Sequence, residues 1–224
     1  MPIFQLTEEL IFPHPELAED GWLAIGGNLS PDRLLLAYSN GIFPWPEGED
    51  SPLYWASPDP RTVLLLKDFT SSNRLKRTIR QNKFKVTFDS HFDSVIQNCS
   101  AIPRPDQDGT WITSDMQAAY ADLHKMGFVH SVETHLDGVL VGGLYGLSLG
   151  GAFFGESMFH LVNDASKVAF YFLVQRLRDW NFDFIDAQVS TQHLLDWGAT
   201  EIDRSSYLKL LAKTLEIKTR RGSW

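Results

Sequence analysis

The stretch from Gly138 to Gly155 limits the possible folds most, because it carries seven glycines and no charged residue. Its length approaches that of a membrane-spanning helix. That many glycines, however, disfavours a helix of any kind. Two buried strands joined by a turn near Ser148–Gly151 account for both the apolarity and the glycine. The expectation is a soluble chain with a sheet at its centre and no membrane segment.

The 224 residues suffice for one large domain, or a small one beside a medium one, and 43% apolar with 21% charged residues fits an ordinary core. A net charge of −8 does not advertise a nucleic-acid binder, so any polyanionic partner must meet a local basic patch. The single cysteine, Cys99, excludes an internal disulfide framework and suits a reducing compartment. Glu8, Glu9, His14 and Glu16 interrupt the apolar residues near the start, unlike a signal peptide. A cytoplasmic location is expected.

Residues 1–62 are rich in Pro, Gly and Trp and leave room for one helix, capped by Ser30, opened by Pro31 and stopped at Gly41. A small irregular lobe packed through Trp22, Trp45 and Trp55 is expected there. From Arg61 the texture changes. Thr62–Leu66 reads as a strand, and Ser71 or Ser72 caps a helix through Arg80. Phe84, Val86 and Phe88 alternate as a strand, and helices follow over His91–Cys99 and Ser114–Met126. Asp137-Gly138 marks a hairpin between Val129–Leu136 and Val139–Leu147. Strands over Ala152–Phe159 and Phe182–Val189 flank a helix over Ser166–Asp179, and Gln192–Trp197 and Tyr207–Leu215 read as helices. The expected class is α+β. It divides into a small N-terminal domain, 1–62, and a larger domain, 63–224, with a mostly antiparallel sheet.

Chemistry concentrates between Gly142 and Gln188. Residues two apart on a strand share a face, which places Asp186 with Gln188. Glu156 lies on the preceding strand. Strict alternation would separate Glu156 and Met158 from Phe153 and Gly155, so a single site built from all four requires a bulge near Gly155. Glu156 also reads as half of a buried ion pair, and Asp186 as a strand-end cap. Between Ser71 and Lys85 the chain holds Arg74, Lys76, Arg77, Arg80, Lys83 and Lys85 without an acid. Lys76, Arg77, Arg80 and Lys83 fall on one helical face, either a solvated surface or a phosphate-contacting strip. Trp45, between two prolines, and Trp111, after a polar loop, are core residues or platforms for a stacked base.

Several chemistries find no support. Gly155-Glu156-Ser157-Met158-Phe159 begins like a nucleophile elbow but lacks the closing glycine. No metal-ligand spacing and no glycine-rich phosphate loop occurs. No metal and no cofactor are expected.

Eight segments appear in a fixed order: Gly21 to Pro31, Gly41-Ile42-Phe43-Pro44-Trp45, Ser57-Pro58-Asp59-Pro60-Arg61, Gly109-Thr110-Trp111-Ile112, His130-Ser131-Val132-Glu133, Phe154 to Phe159, Ala165-Ser166-Lys167 and Ile185-Asp186-Ala187-Gln188. Together they closely resemble the bacterial leucyl/phenylalanyl-tRNA–protein transferase family along nearly the whole chain. The resemblance implies a GNAT-like acyltransferase domain that uses no CoA. It implies transfer of Leu or Phe, and less well Met, from aminoacyl-tRNA to proteins beginning with Arg or Lys, which creates a degradation signal. By the same resemblance Trp45 and Trp111 would hold the terminal adenine. Leu144, Phe153, Gly155, Met158, Ser166 and Ile185 would shape the side-chain pocket, and Glu156, Asp186 and Gln188 would form the polar site. The helix carrying Arg74, Lys76, Arg77, Arg80 and Lys83 would contact tRNA phosphates. Asn28, His135, Leu144 and Ala187 depart from the usual family residues, which leaves the Leu-versus-Phe preference open. A monomer is the default.

The ester of aminoacyl-tRNA is already activated, and an α-amine with a pKa near 7.7–8 is partly neutral in the cell. Bringing amine and ester together is then the main task, worth up to ~7–11 kcal/mol. Gln188 is too weak to act as a base, but its carbonyl can aim the amine. Asp186 is expected to hold that amide, or to accept a proton through it or a water. Glu156 would attract the cationic acceptor. A non-catalytic tRNA-binding module, a CoA-dependent N-acetyltransferase and a cell-wall aminoacyl-tRNA transferase are the competing readings. The second lacks its pyrophosphate-binding turn.

Overall fold

The computed structural model describes residues 3–102 and 110–224 and contains two sheets. The first gathers β1 (Phe4–Leu6), β2 (Trp22–Gly26), β3 (Phe43–Pro44) and β4 (Tyr54–Ala56) in the order β1-β2-β4-β3. Helix α1 (Pro31–Ser39) lies between β2 and β3 in the chain, and Ser30 Oγ caps it by accepting the Arg33 N–H. The lobe is thus more regular than its sequence suggests. Strands of two to five residues, cut by Pro and Gly, are too short to display an alternation.

The second sheet has seven strands in the order β11-β5-β10-β9-β8-β7-β6. In chain order its region holds β5 (Arg61–Leu65), α2 (Asn73–Arg80), β6 (Lys85–Phe88), α3 (Phe92–Ala101), α4 (Ser114–Lys125) and β7 (Val129–Leu136). After these come β8 (Val139–Leu149), β9 (Ala152–His160), α5 (Ala165–Asp179), β10 (Phe184–Gln188), α6 (Gln192–Asp196), β11 (Thr200–Ile202) and α7 (Arg204–Thr214). All neighbours pair antiparallel except β9 and β10, which run parallel across α5. This is the expected α+β class.

The uncharged stretch forms β8, a turn and the start of β9, as its glycines required. Those glycines serve close packing. A Cβ on Gly142 would lie 2.6 Å from the Ala165 Cβ at the start of α5, and one on Gly146 would lie 2.3 Å from the Phe154 carbonyl oxygen. Asp137 and Gly138 both adopt positive φ in the β7–β8 turn, as a two-residue hairpin of this type demands. One apolar core runs through both sheets, joining Leu23, Tyr38 and Trp55 to Phe154, Phe184 and Tyr207. A second packs α5 on the opposite face through Leu144, Phe153, Phe170, Leu173 and Ile185. No helix among the described residues is long and apolar enough to cross a membrane.

Candidate active site

Two bulges build the site. Along β8 and β9, Tyr145 pairs with Ser157 but Gly146 pairs with Gly155, so Glu156 is the extra residue. This is the bulge that a shared site required. Along β5 and β10, Val63 pairs with Asp186 and Thr62 with Gln188, leaving Ala187 extra. The parallel β9–β10 pairing stops at Phe154 and Asp186 although both strands continue. A cavity of about 650 Å³ opens beyond that point.

Trp45, Trp111, Leu144, Phe153, Gly155, Glu156, Met158, Ile185 and Gln188 all line this cavity. Trp45 is fixed by its backbone N–H, which donates to the Tyr54 carbonyl, and by Trp22 and Phe43 against its ring. Glu49, in the loop after Trp45, accepts from the Ser114 N–H and hydroxyl at 2.8 and 2.9 Å, tying that loop to the start of α4 beside Trp111. Gly109 lies outside the described residues. Phe153 turns one side to the cavity and meets Trp224 on another, with ring centroids 5.7 Å apart. Ser166 does not line the cavity: it is buried near the start of α5, where Gly142 approaches the backbone. From the same helix, Phe170 and Leu173 supply the apolar wall. Neither was expected in the site. Val189, Thr191, His193 and Leu194 close a further side, and burial holds the His193 ring below its ordinary pKa.

Asp186 differs from its expected place. It is fully buried and outside the cavity lining. One oxygen accepts from Arg61 Nε and the Gln188 backbone N–H, both at 2.9 Å. The other accepts from an Arg61 terminal nitrogen at 2.7 Å and the Tyr207 hydroxyl at 2.6 Å. The contact to Gln188 is therefore to its main chain rather than its side-chain amide. Gln188 sits at φ 56°, an unusual conformation for a residue other than glycine. The Asp186 oxygen holds that turn in place, much as Asp side chains do in loops. The same-face argument fails because the bulge at Ala187 intervenes.

Arg61 was not expected in the site. Burial opposes its charge, but Asp186 overrides this and holds the guanidinium above its ordinary pKa. The group lies between the Phe43 and Tyr207 rings, at 4.8 and 4.5 Å, and donates to the Gly41 carbonyl at 3.2 Å. One side chain thus fastens the first sheet, β10 and α7 together.

Among the described residues, Glu156 forms no ion pair. Tyr38 and Tyr120 donate to its two oxygens at 2.7 and 3.0 Å and also touch each other through their hydroxyls. Burial raises the carboxyl pKa to about 7, against the opposing pull of the two donated hydrogen bonds.

Helix α2 exposes Arg74, Lys76, Arg77, Arg80 and the following Lys83, while Leu75 and Thr78 are buried. Arg74 lies 3.7 Å from Asp164 at the head of α5, and Thr78 donates to the same carboxylate. Among the described residues, Lys76, Arg77, Arg80 and Lys83 form no ion pair.

The leucyl/phenylalanyl-tRNA protein transferase family profile matches residues 63–212, and that of its N-terminal domain matches residues 27–59. A leucyl/phenylalanyl-tRNA–protein transferase of Anaeromyxobacter sp. is 52% identical over all of this chain and 95% of that one. Its counterpart in Syntrophotalea carbinolica is 54% identical over 94% of this chain and 92% of that one. Among solved structures, an aminoglycoside acetyltransferase from an uncultured soil metagenomic sample aligns with 52% of this chain and 85% of its own at 14% identity and a TM-score of 0.36. By the family profile and these full-length relatives, the chain belongs to the leucyl/phenylalanyl-tRNA–protein transferase family.

Proposed function

We propose that this protein moves Leu or Phe, and less well Met, from aminoacyl-tRNA to the α-amine of proteins that begin with Arg or Lys, marking them for degradation. Aminoacyl transfer from tRNA to protein follows from the family. The observation that carries the reading at this chain's own residues is the cavity. Two tryptophans, an apolar pocket and the polar side chains of Glu156 and Gln188 share one space of about 650 Å³. Trp45 and Trp111 stack on the terminal adenine. Leu144, Phe153, Gly155, Met158 and Ile185, with Phe170 and Leu173 from α5, take the aminoacyl side chain. A pocket of that composition separates Leu, Phe and Met weakly, since a methylene is worth only ~1–3 kcal/mol. The Gln188 amide aims the attacking amine, and Asp186 positions Gln188 through the backbone. The exposed cations of α2 hold tRNA phosphates. The protein works in the cytoplasm as a monomer.

The test is transfer of labelled Leu from Leu-tRNA to two peptides that differ only in an N-terminal Arg or Ala. Label on the Arg peptide alone is expected. Bound tRNA with no label on either peptide would leave a non-catalytic tRNA-binding module instead.

A further inference from the structure

We propose that Glu156, closed into a ring with Tyr38 and Tyr120, takes the proton from the acceptor's α-ammonium and so generates the attacking amine. The proposal rests on the aminoacyl-transfer reading above.

The ring can be counted. Tyr38 touches one carboxylate oxygen of Glu156, Tyr120 touches the other, and the two hydroxyls touch each other. That makes three contacts between oxygens and only two hydroxyl protons. With Glu156 ionised, both hydroxyls donate to the carboxylate, and no proton lies between the tyrosines. With Glu156 protonated, every edge carries one proton and the ring closes head to tail. The site is therefore built to receive one proton. Among the two acids of the site, only Glu156 is open to the cavity. Asp186 is ion-paired with Arg61 and already accepts four hydrogen bonds.

Among the described residues, the groups facing Glu156 are few. Tyr38 comes from α1 and Tyr120 from α4. Tyr145 on β8 packs against the Tyr120 ring, with centroids 5.7 Å apart. Asp186 on β10 and Arg61 on β5 act at longer range with opposite signs. Burial holds both ring tyrosines well above their ordinary pKa, so they remain donors at neutral pH. The carboxyl pKa of about 7 lies close to the α-amine range of ~7.7–8, so proton exchange between them is nearly balanced.

The step balances. The ammonium N–H bond breaks and its proton passes to the Glu156 carboxylate, leaving a neutral amine. The amine lone pair forms the C–N bond and the ester C–O bond breaks. Of the two protons left on the attacking nitrogen, one stays as the amide N–H and the other ends on the departing ribose oxygen. Glu156 then releases its proton to water.

Rates of Leu transfer to an Arg peptide, measured between pH ~6 and ~9 for wild type, Glu156→Gln and Tyr38→Phe/Tyr120→Phe, test the proposal. Glu156→Gln is expected to lose about five- to tenfold near pH ~7 and to recover most of the rate near pH ~9, where the amine is already neutral. The double tyrosine variant should move the acid limb to higher pH, because an ionised Glu156 has lost both donors. An equal loss at every pH, or no loss, in Glu156→Gln would assign Glu156 a structural role and overturn the proposal. A wild-type protein that transfers nothing would remove the reaction itself, and the proposal with it.

Discussion

Glu156 and Asp186 are two carboxylates on neighbouring strands, one in a bulge and the other beside one, and their hydrogen-bond partners differ in charge. Asp186 faces a cation. Arg61 grips both its oxygens, and Tyr207 and the Gln188 N–H fill the remaining positions. Glu156 faces two neutral hydroxyls. Burial pushes the Glu156 carboxyl toward the protonated form. The charge of the partner decides which acid becomes a fixed strut and which keeps a proton to exchange. The site thus separates holding the geometry from handling the proton.

Breaking the strut should have the largest effect. Arg61→Leu leaves Asp186 buried without its cation and is expected to destabilise the protein by about 3–5 kcal/mol, measured by urea unfolding. A loss under about 1 kcal/mol would show that the ion pair is not needed to hold the sheets together.

Neutralising the other acid should act in the opposite direction. An unfolded Glu titrates near ~4.3, whereas Glu156 titrates near 7 in the folded protein. Between those values the folded state holds a proton that the unfolded state has released, so stability falls as pH rises through the window. At ~1.4 kcal/mol per unit the penalty is fully present above neutral pH, roughly 2–4 kcal/mol, with the lower end suiting a carboxyl open to a cavity. Glu156→Gln should therefore be more stable than wild type at pH ~8 and lose that slope. Unfolding midpoints across pH ~5–8 read both effects. Equal signs for Arg61→Leu and Glu156→Gln would erase the distinction between the acids.

The sequence reveals these two sites unequally. The bulge at Glu156 is legible, because Phe153, Gly155, Glu156 and Met158 cannot share a site under strict alternation. The bulge at Ala187 is not, since Asp186 and Gln188 alternate acceptably without it. Arg61 precedes its partner by 125 positions and begins a strand, so nothing local marks it as a site residue. Tyr38 and Tyr120 sit at core positions of amphipathic helices, where a buried tyrosine is ordinary. The larger sheet can be read from periodicity and turn residues. The N-terminal sheet cannot, because its strands are shorter than the pattern that would reveal them.

Two smaller changes sharpen the comparison by leaving both acids alone. Arg77→Gln with Arg80→Gln should weaken tRNA binding for all tRNAs alike and reduce the slope of log affinity against log salt by about 2. The pH profile of transfer should stay unchanged. Trp224→Ala should have the smallest effect. Its ring backs Phe153 and stacks on His130 with centroids 3.9 Å apart. Without it Phe153 can settle back and enlarge the pocket, raising the Phe-to-Leu ratio in competition assays by about two- to fivefold.

The most direct test of the division between the acids is an infrared titration of the carboxyl C=O band in wild type and Glu156→Gln. A protonated-carboxyl band should grow as pH falls through about 7 in wild type and be missing from Glu156→Gln. A band that survives unchanged in Glu156→Gln, or one that grows in only near pH ~4 as for exposed acids, would contradict the account.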